Sequence, residues 1–322
     1  IPENKLTSNW LIGTDINADY EYSMLPLMQA RPLGYTMSIS NNGLNDQADV
    51  SFDYDVSLSG TSLASGSADS ILALTSLTLD TISHQSTFTP STTGVYTLSA
   101  TATMDSTEVN PLNNTDSVDL EITNYTWGRD NNVIDGGFYN IGGADGAGVK
   151  LGHVLFATAD QVFYSISIGI LGSEAHDGKL FYGELYYYDA AAGAYQYLNG
   201  TAEYTINNAV LGGDTIISLP FFSGGAQVTA GMDLLVVACH YGGAADASDH
   251  VRFATAGPAR DGLVLGFDGT GGLFNLTNPP AIVVRLNGDI TSGIEEEEEV
   301  NTSLALGQNI PNPANNTTAI NY

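Results

Sequence analysis

Five histidines and one cysteine are the strongest metal and nucleophile candidates in this chain of 322 residues. His84, His153, His176, His240 and His250 show neither an H-E-x-x-H pair nor any close ligand spacing, so a zinc site has no scaffold in the pattern. Cys239 and His240 are adjacent in an apolar run, and neighbours on a strand point to opposite faces. That thiol reads as a buried, structural one. Asp130 and Asp135, Asp246 and Asp249, and Asp145 among glycines could offer loop oxygens to calcium, but none matches an EF-hand spacing. Solvated loop charge is the simpler reading, and no cofactor is expected. The remaining constellation is aromatic: Tyr182, Tyr186, Tyr187, Tyr188, Tyr195 and Tyr197 fall within sixteen residues. Planar rings of this kind stack on sugar faces, which makes Tyr186, Tyr188, Tyr195 and Tyr197 a candidate ligand platform. Tyrosines facing each other across a hairpin are also ordinary cross-strand packing.

The elements that must position these side chains are strands. Val50-Ser-Phe52-Asp-Tyr54-Asp-Val56-Ser-Leu58 alternates strictly, and Gly94-Val95-Tyr96-Thr-Leu98-Ser-Ala100-Thr-Ala102 does the same; both predict half-buried strands. Asn41-Asn42-Gly43 predicts a turn that tolerates positive φ. After Asn124 the composition shifts to longer apolar runs: 149–156, 162–170, 181–188, 215–219, 233–241 and 281–286. Double glycines separate them at 142, 212, 224, 242 and 271. Eight or so strands in roughly 160 residues suit a jelly-roll-like sandwich. The expected fold class is all-β, with two sandwiches that each hold a core of their own and fold independently.

Charge narrows the partners. Eight Lys plus Arg against 36 Asp plus Glu leave a net charge of −28, so neither nucleic acid nor an anionic membrane surface is an expected partner. A single cysteine excludes an internal disulfide framework. No apolar run reaches the length of about 20 residues that a membrane-spanning helix needs.

Beyond Ile282-Val283-Val284, five consecutive glutamates, Glu295 to Glu299, form a self-repelling block with linker character. Pro311 and Pro313 then force an extended or turn path, and Thr318, Ile320 and Tyr322 alternate as one face of a strand. The run L-G-Q-N-I-P-N-P followed by T-A-I-N-Y closely resembles the opening of the type A C-terminal sorting domain of the Bacteroidetes type IX secretion system. Leu306, Gln308, Asn309, Pro311, Asn312, Pro313, Thr318, Ile320 and Tyr322 lie on that pattern. The resemblance covers under a tenth of the chain and only the opening of that domain. It implies secretion through the type IX translocon and its cargo shuttle, with display at the outer-membrane-associated cell surface.

Residues 14 to 124 resemble an adhesion-type immunoglobulin-like domain of the CARDB kind. They share an N-N-G turn after the first strand, G-x-Y-x-L opening the penultimate strand (Gly94, Tyr96, Leu98), and N-P-x-N-N before the last (Asn110 to Asn114). Such domains act as spacers or adhesive modules and transfer no catalytic residues. The junction Tyr125, Trp127, Arg129 and Asp130 is similar to that of uncharacterised secreted Bacteroidetes proteins bearing the same tail. Gly60-Thr61-Ser62-Leu63-Ala64-Ser65 resembles the serine box of subtilases, but Gly66 stands where proline is expected and no H-G-T-H box exists. A nucleophile there would sit on a hairpin without the helix start that such a site requires.

The expected organisation is thus an immunoglobulin-like domain over 1–124 and a jelly-roll-like sandwich over 125–290. An acidic linker over 291–303 and the start of a sorting domain over 304–322 follow. The expected function is that of a secreted, surface-displayed, non-enzymatic β protein in adhesion, surface structure or assembly, with surface glycans or other surface proteins as partners. A carbohydrate-binding module is the first alternative, with exposure of the tyrosines as the discriminator. A hydrolase is the second. Bacteroidetes O-glycosylate Asp-Ser/Thr followed by certain apolar residues or Thr, and the chain holds five such triplets, at Ser70, Thr81, Ser106, Ser117 and Thr215. Those hydroxyls are the expected glycan sites.

Overall fold

A computed structural model describes residues 7–12, 22–68, 71–85, 88–105, 114–139, 148–172, 177–242, 251–259, 262–268, 270–277 and 279–289. The sorting-tail residues Leu306 to Tyr322, the acidic linker, His176, His250, Asp145, Asp246, Asp249, Ser70 and Ser106 lie outside them.

The first sandwich uses β1 (Thr7–Ile12), β2 (Met24–Pro26), β3 (Leu33–Asn41), β4 (Gln47–Leu58), β5 (Thr61–Ser67), β6 (Ile71–Leu74), β7 (Thr78–Gln85), β8 (Gly94–Thr103) and β9 (Thr115–Thr123). One sheet runs β1-β3-β7. The other runs β2-β9-β8-β4-β5, with β6 also on β4. The alternation read from sequence decides what faces inward. Tyr96, Leu98, Ala100 and Ala102 of β8 are buried, while Thr97, Ser99, Thr101 and Thr103 are half-buried on the other side. Leu33, Tyr35, Met37 and Ile39 of β3 close the core from the facing sheet. The β4–β5 hairpin turns through Ser59 and Gly60, both at positive φ, the two-residue turn whose twist matches its strands. The chain turns after Asn41-Asn42-Gly43 as expected, although neither Asn42 nor Gly43 uses positive φ. The Asn41 side chain holds that turn instead, accepting from the Gly43 N–H at 3.0 Å and donating to Leu74 O at 3.0 Å.

The second sandwich uses β10 (Thr126–Trp127), β11 (Gly136–Tyr139), β12 (Lys150–Phe156), β13 (Gln161–Phe163), β14 (Ser165–Ile170), β15 (Leu180–Asp189), β16 (Ala194–Gly200), β17 (Tyr204–Thr205), β18 (Thr215–Pro220), β19 (Ala226–Val228), β20 (Asp233–His240), β21 (Arg252–Pro258), β22 (Val264–Phe267), β23 (Leu273–Asn275), β24 (Pro280–Ile282) and β25 (Val284–Asn287). One sheet contains the order β11-β21-β14-β18 and the other β12-β20-β15-β16. Consecutive members alternate between the two sheets except at the β15–β16 hairpin, which is jelly-roll order. Two additions complete it. β22 and β23 extend the second sheet beyond β12. The run β24–β25 wedges between β21 and β14, its Val283 donating to Ala254 O and accepting from the Gly169 N–H, at 2.9 and 2.8 Å.

The run 162–170, which reads as one strand, is two. β13 leaves to pair β19, and the chain breaks at Tyr164, whose N–H donates to Asn287 O and whose carbonyl accepts from Phe221.

The two sandwiches do not keep separate cores. A single cluster of buried side chains runs from Leu33 and Phe52 through Tyr22 and Trp127 to Phe163 and Leu234. Trp127, fully buried, meets Tyr22 edge-on at 5.6 Å and Phe163 at 5.9 Å. The Tyr22 hydroxyl accepts from the Phe156 N–H at 2.9 Å, and the Arg129 guanidinium stacks 4.3 Å above the Tyr22 ring. Gln29, buried on the first sandwich, accepts from the Thr158 and Ala159 N–H groups and donates to Ala159 O and Gln161 Oε1 of the second. Asp130 receives Arg285 through two parallel bonds of 2.8 and 2.5 Å. Tyr22 and Gln29 thus tie the two sandwiches together by hydrogen bonds across the seam, while the Asp130–Arg285 pair braces the second sandwich beside it.

Candidate functional site

The β12, β15, β16, β20 and β22 sheet turns its even-numbered β15 residues outward, and the register sets what stands beside them. Tyr186 faces Tyr197 and Leu235, Glu184 faces Val237, and Tyr182 faces Cys239. Cys239 in turn neighbours Lys150, which neighbours Phe267. The outer face is therefore a second apolar layer, with Val154, Leu235, Val237 and Cys239 buried under Tyr182, Tyr186, Tyr195, Leu265 and Phe267. Above that layer Tyr188, Tyr197 and Tyr241 are 42, 55 and 56% exposed.

The rings are fixed by one another. Tyr188 meets Tyr195 edge-on at 5.4 Å, Tyr186 meets Tyr197 edge-on at 5.9 Å, and Tyr182 lies against Tyr241 at 5.1 Å. A β-carbon placed on Gly200 would lie 2.7 Å from the Tyr197 hydroxyl. Tyr197 thus reclines along its own strand over Gly200, and only glycine leaves it that room. Tyr187 points the other way, into the core.

A polar chain is set into this layer. Lys150 pairs with Glu184 and donates to the Tyr186 hydroxyl at 2.8 Å, while that hydroxyl donates to Glu184 Oε2 at 2.5 Å. The Cys239 thiol points at the same carboxylate from 3.8 Å. Burial works to lower the Lys150 pKa, but the hydrogen bond and charge of Glu184 outweigh it and hold the ammonium above its ordinary value. Burial first, then Glu184, raises both the Tyr186 phenol and the Cys239 thiol. Tyr182 is raised by burial and by the neighbouring Cys239 and Glu184. At neutral pH this cluster therefore holds a charged lysine, a protonated thiol and protonated phenols. A nucleophilic cysteine uses a depressed thiol pKa, and here the shift of Cys239 runs the other way.

The other sequence candidates sit in structural roles. Ser62 donates to Asp55 on the exposed β4–β5 hairpin. His84 packs on Tyr54 and Tyr35, at 5.0 and 6.2 Å. His240 accepts from the Gly242 N–H at 2.9 Å on the side of β20 opposite Cys239. His153 donates to Ile282 O at 2.7 Å, and burial, with the charge of Arg129, depresses its pKa to about 4. Asp130 is taken by Arg285, and Asp135 accepts from the Gly257 N–H at 2.9 Å. Among the described residues no three His, Cys, Asp or Glu side chains converge as metal ligands. Two clefts of about 550 and 590 Å3 flank the seam near Met24, Glu121 and Asn132. Asp130 lines the first and Arg285 the second, and these two are committed to each other. The Lys150–Glu184–Tyr186 chain was not legible in sequence, since its members lie 34 and 36 residues apart and meet only through strand register.

No protein-family model matches the chain, and neither does any curated protein. Solved structures with a likeness include the CARDB domain of a Pyrococcus furiosus protein in complex with di-metal ions, at 17% identity. That match covers 37% of this chain and 89% of the domain, with a TM-score of 0.24. The secreted serine protease VesC of Vibrio cholerae matches at 11% identity over 72% of this chain and 48% of its own, with a TM-score of 0.19. The serine-rich repeat adhesion glycoprotein of Streptococcus agalactiae matches at 9% identity over 89% and 97%, with a TM-score of 0.18. These likenesses are of β architecture alone. Among the described residues no helix is long and apolar enough to cross a membrane.

Proposed function

We propose that this chain is a secreted, non-enzymatic β protein displayed at the outer-membrane-associated cell surface, where it serves adhesion, surface structure or assembly. The observation that carries the non-enzymatic reading is the outward tyrosine face. It offers ordered, exposed rings over a cluster in which the Tyr186 phenol and the Cys239 thiol are both held protonated. That combination suits contact rather than turnover. Under this reading the molecule is organised as 1–124, 125–290, an acidic linker 291–303 and a sorting segment from 304. The L-G-Q-N-I-P-N-P box supports export by the type IX translocon and its cargo shuttle.

Glycan attachment belongs to the same reading. Thr81 and Ser117 stand exposed on β7 and β9 and Thr215 is half-exposed on β18; these three, with Ser70 and Ser106, are the proposed O-glycosylated hydroxyls. In two triplets the aspartate accepts from the next residue's N–H, Asp80 from Thr81 at 2.7 Å and Asp116 from Ser117 at 2.8 Å. Deleting the native protein from residue 304 onward should trap it in the periplasm. The displayed wild-type product should carry the intact mass of a glycoprotein modified at those five positions. Unchanged surface display of the deletion, or an unmodified mass, refutes the corresponding half of the reading.

A further inference from the structure

We infer that the outward face of the β15–β16 hairpin is a subsite for neutral polysaccharide, with the Tyr197 and Tyr188 rings as its stacking platforms. This rests on the reading of that face as a contact surface, and goes on to name what it contacts.

Three observations select the ligand. The first is ring placement. Tyr197 reclines over Gly200 with more than half its surface in water, braced edge-on by Tyr186. One register step along the hairpin, Tyr188 is braced in the same manner by Tyr195. The Tyr197 ring lies towards the Glu184–Gly200 row and Tyr188 stands in the Tyr188–Tyr195 row nearer the turn, so the two rings are separate stations along one extended chain. Pyranose rings present apolar C–H faces of this kind, and hydroxyls at their rims.

The second is the polar chain beside the rings. Lys150 and Glu184 keep 27 and 15% of their side chains exposed, and both act electrostatically on the Tyr197 phenol. They place a donor and an acceptor at the rim of the platform, which is what a sugar hydroxyl requires and a purely apolar partner does not.

The third is charge. The ion pair is neutral in itself, and Glu203 at the far end is capped by the Tyr241 hydroxyl. With −28 on the whole chain, an anionic glycan, an anionic lipid surface or a second copy of the chain approaches against repulsion. A neutral polyhydroxylated chain does not.

The test is titration calorimetry of the full-length chain against soluble β-glucan, xylan and mannan, with alginate and heparin as acidic probes. At least one neutral polysaccharide should bind. Tyr197→Ala and Tyr188→Ala should each weaken it tenfold or more at unchanged circular dichroism, since both side chains are exposed. Tyr197→Phe, which keeps the ring, should stay within about threefold of wild type. The inference is overturned if no neutral polysaccharide binds, if the acidic probes bind instead, or if the two alanine variants bind like wild type. Attachment of cells displaying the same variants separates the two levels. Attachment lost without any polysaccharide binding overturns the glycan and leaves the contact face standing, whereas attachment and binding both unaffected by the substitutions overturn the contact face itself.

Discussion

The outward faces of the two sandwiches obey the same alternation and are built of opposite materials. Across β5, β4, β8 and β9 the register lines up Ser67, Asp53, Thr101 and Thr115 in one row, and Ser65, Asp55, Ser99 and Ser117 in the next. Ser57, Thr97 and Asp119 begin a third. Every member is a hydroxyl or a carboxylate, and neighbours satisfy one another, as in Thr97 to Asp119 at 2.7 Å and Thr101 to Thr115 at 2.9 Å. The jelly-roll face has tyrosines where this one has threonines, and an ion pair where this one has water-facing aspartates. The contrast separates two things that a polar/apolar alternation cannot tell apart. Period two says which residues point outward. Whether an outward face is finished by water or by a partner depends on what those residues are. The hydroxyl face already has its hydrogen bonds and gains little from contact. The tyrosine face leaves rings in water that contact would cover.

The first way to break this comparison is to ask whether the two faces belong to one folding unit at all. Trp127→Ala should cost about 3–5 kcal/mol, the usual loss for a buried tryptophan. Because the core is continuous, both sandwiches should still unfold together in one earlier transition. Urea titration followed by circular dichroism decides it, and two separated transitions would show the seam to be decorative.

Acid should reveal a second difference, located beneath the tyrosine sheet. The folded pKa of His153, about 4, lies below the ordinary value of 6.5. The unfolded chain therefore binds the proton first as pH falls. Stability is fully present above pH 6.5 and is lost progressively towards pH 4, by about 3 kcal/mol. His153→Gln should flatten the fall between pH 6.5 and 5, where carboxylates contribute least. An unchanged slope in the variant would mean that the ring is not buried as described.

The smallest expected effects sharpen the contrast directly. Lys150→Met strands a mostly buried Glu184 and should cost about 1–2 kcal/mol, reduced by the exposure both groups retain. On the hydroxyl face Asp119→Asn should change stability by less than about 0.5 kcal/mol. Equal costs in thermal melts would abolish the distinction drawn between the faces.

How much of this was readable beforehand follows from range. The strict alternations at Val50–Leu58 and Gly94–Ala102 gave their strands, because period two is a local property. Burial of Cys239 was also readable, though its apolar layer lies on the outer side of the sheet rather than in the main core. The seam was not. Tyr22 and Gln29 sit in a stretch without periodicity, and their partners lie 134 and about 130 residues away. Trp127 and Arg129 stand in a recognisable motif, but nothing local tells that they join two sandwiches. The tyrosine stripe was visible as composition. Which rings lie exposed and which lie beneath depended on Gly200 and on register with β20, and neither is a pattern in the hairpin itself.

The wedge of β24–β25 has a consequence for the order in which the molecule can be made. Its residues come last among those of the sandwich, yet they occupy the middle of a sheet, between β14 and β21. A chain emerging from the ribosome in N-to-C order holds β14 and β21 with open edges until Ile282 to Asn287 arrive. Pairing between distant segments is slow in any case; here it cannot finish until nearly the whole sandwich has been synthesised. The second sandwich stays open for most of its own synthesis, and its topology is set by the last of its described strands.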